Sequence, residues 1–99
     1  MEVIKKFNDG ELVVIIKGEL NSTTSQEFEK SLGDLKGVKS LIFDFTDLSY
    51  ISSAGLRILL VSKKVMDKQG TLLVRHPNEE VMEIFEITGF KDILDIELL

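Results

Sequence analysis

Cysteine is absent from this 99-residue chain, and histidine and proline occur once each. Without thiols there is no disulfide scaffold, no zinc ribbon and no thiol nucleophile, and the composition fits a reducing compartment. The one histidine, His76, stands before Pro77 at the end of an apolar run. It has no Ser-His-Asp partnering and reads as a surface or packing residue. Metal-ligand spacings and phosphate-cradling glycine loops are missing as well. The glycines fall singly between candidate elements, as turn residues do. The expectation is a chain that is not an enzyme and takes no metal and no cofactor.

Long apolar runs are also lacking. Leu12 to Ile16 is far too short to span a bilayer, and Ala54 to Val61 is interrupted by Arg57. The opening MEVIKKF has no signal-peptide apolar region behind its lysines. A cytoplasmic protein with no membrane partner is expected. Positive charge is nowhere concentrated: the formal net charge is −5, and Lys5-Lys6 and Lys63-Lys64 are separated by acids. Phosphate contacts need clustered Lys and Arg, so no nucleic-acid partner is expected.

No repeat, linker or low-complexity segment is visible. Residues 1–99 therefore read as a single domain, long enough for one hydrophobic core. Asn8-Asp9-Gly10 is a hairpin turn signal between a strand at Val3 to Phe7 and a second strand at Leu12 to Ile16. The second is apolar on both faces, which predicts burial on both sides, and Gly18 is expected to end it. Thr24 and Glu27 have capping-box spacing, and Phe28, Leu32 and Leu35 then share a helix face up to Gly37. Ser40 to Phe45 reads as a buried strand, and Thr46 to Tyr50 as a short loop. Ala54 to about Gln69 is helical, with Leu56, Leu59 and Leu60 marking one apolar face and Ala54, Ile58, Val61 and Val65 the next, and Gly70 stops it. Thr71 to Arg75 is a strand. Asn78 caps a helix carrying Val81, Ile84 and Phe85, closed by Gly89. The tail from Ile93 reads as a last strand or a docked segment. Strands alternating with helices predict an α/β fold with a largely parallel sheet.

The stretch "YISSAGL" puts Ser52 and Ser53 at the start of the second long helix. The first backbone N–H groups of a helix have no intrahelical partner, and together with the helix dipole they favour negative charge. A serine there can cap the helix, or it can carry a phosphate facing the same donors. Spacing alone favours the cap.

The longer pattern adds to this. "KGEL" before a capped helix, then "LIFDFTDLSYISSAGLRIL", "GTLLV" and "EEVMEIFEITGF" together resemble the STAS family over nearly the whole chain, most closely its anti-sigma factor antagonists. The resemblance implies a STAS-like single domain with a mixed sheet of four or five strands, an N-terminal hairpin and about three helices. It also implies a phosphorylation-controlled partner switch. The phosphoacceptor would be Ser53, followed by Ala54, Gly55 and Leu56, with Ser52 the alternative acceptor standing where the family has aspartate. Asn21, with aspartate common in the family, and Arg57, with glycine common, are further departures. The implied partners are a kinase-type anti-sigma factor and a PP2C-like phosphatase, met by a monomer. Asn21, Ser22, Thr23, Ser52, Ser53, Ala54, Gly55 and Arg57 would form the partner-binding surface, with Ala54 and Gly55 as small residues that let a partner approach. Asp44 reads either as a structural carboxylate near the site or as a functional one. The alternative function keeps the fold and drops the switch: a scaffold or interaction module that is not phosphorylated, such as the soluble partner of a lipid transporter or a signalling assembly.

Overall fold

The computed structural model describes all 99 residues. Asp9 and Gly10 both adopt positive φ (49° and 81°), the conformation a tight two-residue hairpin requires. They join β1 (Glu2–Asn8) to β2 (Glu11–Leu20) in an antiparallel register from Asn8↔Glu11 to Glu2↔Lys17.

Gly18 does not end β2. At φ 102° it bends the strand, the register shifts between Gly18 and Glu19, and β2 continues to Leu20. Beyond the bend β2 pairs in parallel with β4 (Leu48–Ile51), which occupies most of the stretch expected to be a loop. β3 (Ser40–Asp44), β5 (Thr71–Arg75) and the short β6 (Asp95–Glu97) follow in parallel. The sheet order is β1-β2-β3-β5-β6, with β4 beside the far end of β2, making six strands in all. The expected mixed sheet with its hairpin is present. The sixth strand is β4, four residues long and outside the main path.

Three α-helices accompany the sheet: α1 (Ser22–Leu32), α2 (Ser53–Asp67) and α3 (Glu79–Thr88). The α1 cap lies three residues before the expected one. Asn21 is the N-cap, its Oδ1 accepting from the N–H groups of Thr23 and Thr24 at 2.9 Å each, while Thr24 Oγ1 accepts from the Asn21 N–H. Asn is a stronger cap than Thr, and it takes the helix start. Asn78 caps α3 as expected; its Oδ1 accepts from Val81 N–H at 2.8 Å, and its Nδ2 donates to the Leu48 carbonyl, tying α3 to β4.

The core lies on one face of the sheet. Leu12, Val14 and Ile16 of β2, Leu41 and Phe43 of β3, and Leu72 and Val74 of β5 meet Phe28 and Leu32 of α1, Leu56 and Leu59 of α2, and Val81 and Phe85 of α3. Phe28 meets Phe43 edge to face at 5.7 Å, and Phe45 stacks on Phe43 at 6.1 Å. The other face corrects the two-sided burial expected for β2. Val13 and Ile15 are only half-buried and, with Ile4, Ile42 and Leu73, stand outside the core cluster. Helices cover only one side, so the second apolar face of β2 is shielded mainly by its own cross-strand neighbours. In α2, Leu56 and Leu59 of the first expected apolar face are buried, whereas Val61 and Val65 of the second are 49 % and 37 % exposed, with Ser62 and Met66 buried instead. No helix is long and apolar enough to cross a membrane.

Candidate functional site: the serine-headed groove between two helices

The chain leaves β4 at Ile51 and turns into α2. Ser52 is the N-cap, with extended backbone (φ −90°, ψ 175°), and its Oγ accepts from the Gly55 N–H at 3.4 Å. Its own N–H donates to the Leu20 carbonyl at 2.7 Å, which ties the turn to the end of β2. Ser53 is therefore the first residue of α2, exposed, beside the unpaired amides of the first turn. The two serines divide the work: Ser52 is half-buried and spent on the cap, and Ser53 presents its hydroxyl to solvent. They were expected just beyond the strand at Ser40 to Phe45. They follow β4 instead, so their neighbour in the sheet is the end of β2.

α1 and α2 flank an open groove of about 620 Å³. Ser22, Ser25, Gln26 and Glu29 line it from α1, and Ser53, Ala54, Arg57 and Ile58 from α2. The structure thus brings Ser22 together with Ser53, Ala54 and Arg57. Arg57 is exposed one turn from Ser53 on the same helix and contributes the groove's cation, with Glu29 the anion opposite. Thr23 is exposed beside the groove without lining it, and Asn21 is half-buried in the α1 cap. Sequence reasoning missed Ser25, Gln26 and Glu29. Their signal was available: Ser22, Ser25, Gln26 and Glu29 fall at i, i+3, i+4 and i+7, a polar stripe beside the apolar Phe28 and Leu32. Ser25 Oγ is buried and has no hydrogen-bond partner.

Gly55 requires a correction. It is buried, and a Cβ there would sit 2.7 Å from Ile51 Cγ1 and 3.1 Å from Leu20 Cβ. Its small size lets the first turn of α2 settle onto β4 and β2, so it is an internal contact and not a surface for a partner.

Asp44 lies outside the groove, at the end of β3. Its Oδ1 accepts from Thr46 N–H at 3.0 Å and from Thr46 Oγ1–H at 2.6 Å, which fixes the turn into β4. Partial burial disfavours its charge, but the Thr46 hydrogen bonds, Arg75 and His76 together outweigh that and hold its pKa below the ordinary carboxylate value. Thr46 Oγ1 lies 3.2 Å from His76 Nδ1, and His76 Nε2 lies 3.2 Å from Glu97 Oε2. The lone histidine thus ties β6 to the sheet, through its ring and through its backbone N–H, which donates to the Glu97 carbonyl at 2.7 Å.

A mixed sheet opening with a hairpin, helices on one face and a serine heading the second helix define a class: an α/β module of STAS type. The chain belongs to the STAS domain family, whose model matches residues 2–98. It is 38 % identical over 91 residues to the candidate anti-sigma factor antagonist BtrV of Bordetella bronchiseptica, covering 89 % of this chain and 78 % of that one. It is 32 % identical over 93 residues to the anti-sigma-B factor antagonist of Bacillus subtilis, covering 92 % and 85 %. The fold matches the Bacillus anti-sigma factor antagonist SpoIIAA in its unphosphorylated form with a TM-score of 0.83 at 17 % identity, covering 96 % of this chain and 87 % of that one. It matches the phosphorylated form at 0.75 and 16 %, covering 96 % and 90 %.

Proposed function

We propose that this protein is an anti-sigma factor antagonist in a phosphorylation-controlled partner switch, and that Ser53 is the residue modified. The unphosphorylated groove between α1 and α2 docks a kinase-type anti-sigma factor, phosphorylation of Ser53 by that partner ends the complex, and a PP2C-like phosphatase restores it. The observation that carries the reading is the division of roles between the serines: the cap is met by Ser52, so the Ser53 hydroxyl is free and exposed. The names of the relatives support the regulatory role, and a relative solved in both phosphorylation states supports the switch.

The physics is sufficient. A phosphate adds about −1.5 to −2 charges. At a helix N-terminus that is favourable by about 0.3–1 kcal/mol, so the fold tolerates it. Arg57, one turn on, adds a counter-charge. In a docked groove the same phosphate is desolvated against the partner, and an unpaired buried charge costs about 2–5 kcal/mol. About 2.8 kcal/mol is a hundredfold in affinity. Serine in place of aspartate at position 52 preserves the cap and removes a negative charge next to the acceptor.

The test is incubation with the kinase-type anti-sigma factor and ATP, followed by mass spectrometry. Wild type and Ser52→Ala gain one phosphate, and Ser53→Ala gains none. A full phosphate on Ser53→Ala refutes the assignment. Ser53→Asp keeps the wild-type melting curve and loses binding. If no variant is modified and Ser53→Asp binds as wild type does, the protein is a scaffold of the same fold.

A further inference from the structure

β1 is the outermost strand of the sheet, and its far edge is unpaired. Seven residues are a long edge to leave open, because each unpaired amide and carbonyl can template another strand. Lysines commonly guard such edges, and this strand has two, with different surroundings. Lys5 lies on the helix side, where its Nζ donates to the Ser31 carbonyl near the end of α1. Lys6 lies on the open side, together with Glu2, which stands opposite Lys17 across the β1–β2 pair; none of these three is in an ion pair within 4 Å. Met1 and Phe7, on the helix side, are 42 % and 60 % exposed. Ile4, at the centre of the strand, belongs to the half-covered apolar face and is the register partner of Ile15.

We propose that β1 pairs antiparallel with β1 of a second copy of this chain, about a two-fold axis at Ile4. In that register Glu2 of each copy stands opposite Lys6 of the other, Ile4 opposite Ile4, and Met1 opposite Phe7. The same alignment neutralises both free charges, covers both exposed apolar ends and joins the two Ile4–Ile15 pairs into one apolar strip. Neighbouring registers fail. A slip of two residues is the smallest that keeps each face on its own side. In one direction it sets Lys5 against Lys5; in the other it sets Glu2 against Ile4. The two sheets become one continuous sheet, with an isologous interface as a closed dimer requires. Such a dimer would replace the monomer expected from the sequence.

The test is sedimentation velocity over a wide concentration series on the full chain and its Lys6→Glu, Glu2→Lys and Glu2→Lys/Lys6→Glu variants, with thermal unfolding to confirm that each is folded. Wild type dimerises with rising concentration. Each single variant turns two attractions into two repulsions and weakens the dimer about tenfold or more. The charge-swapped double variant recovers it. A wild type that stays monomeric throughout, single variants that associate as well as wild type, or a folded double variant no better than the singles would each overturn the proposal.

Discussion

Replacing Gly55 by alanine sets two well-measured effects against each other. Helix propensity favours the change, since alanine in a helix interior is better than glycine by about 1 kcal/mol. Packing opposes it. Carbon atoms prefer about 3.5–4.0 Å, whereas the new Cβ would stand 2.7 Å from Ile51 Cγ1 and 3.1 Å from Leu20 Cβ. Neither neighbour has room to retreat: Ile51 is 1 % exposed and Leu20 fully buried. Leu20 Cβ is fixed by its backbone, and a χ1 rotation that moved Ile51 Cγ1 away would drive the side chain into its close-packed surroundings. Overpacking of this kind costs about 1–3 kcal/mol, and these distances put it at the upper end. The net expectation is a loss of about 2 kcal/mol after the propensity gain. At about 4–8 °C per kcal/mol for a domain of this size, Tm falls by about 8–16 °C in calorimetry. Ile51→Ala removes the first clashing atom, so the double variant should be more stable than the two single losses added together. An unchanged or raised Tm for Gly55→Ala would show that the α2 start is not seated on β4 and β2 as described, and the placement of the serines would fall with it.

Two further predictions concern stability. Asn21→Ala removes the acceptor of the Thr23 and Thr24 amides and should cost about 1 kcal/mol in chemical unfolding, whereas Asn21→Asp should cost little. The Asp44 pKa is depressed in the folded state, so its contribution is present above the unfolded carboxylate value of 3.8 and is lost as pH falls through the lower folded value. Asp44→Asn should therefore flatten that part of the acid unfolding profile; a profile identical to wild type would remove Asp44 from the stabilising network.

Much of the fold could be read from local signals because local chemistry decides those elements. Asn8-Asp9-Gly10 supplies residues that tolerate positive φ, Asn78 supplies an acceptor for Val81 N–H, and the apolar run at Ser40 has nowhere to go but a buried strand. β4 was not legible. Its four residues include exposed Ser49 and Tyr50, and what makes it a strand is the far end of β2, about thirty positions earlier in the chain, which only the bend at Gly18 brings alongside. Val61 and Val65 misled because apolar periodicity says which residues could face inward and not which face the sheet will take. At the site, the serines, Arg57 and Ser22 at the start of α1 could be grouped from sequence, but Ser25, Gln26 and Glu29 further along α1 could not be joined to them until the packing of α1 against α2 was known. Gly55 shows the same limit: small size is visible in the sequence, and the direction it faces is not.

Leu20 ends β2, and two things happen at that point. The next residue, Asn21, starts α1, and the Leu20 carbonyl holds the amide of Ser52, which starts α2. Both walls of the groove are thus referenced to one peptide group. They cannot drift apart independently, so a protein docking there as proposed would meet a groove whose spacing is already set and would spend little free energy on ordering it. Under the proposed switch, control would fall to the groove's charge, which a covalent modification can alter without moving the frame.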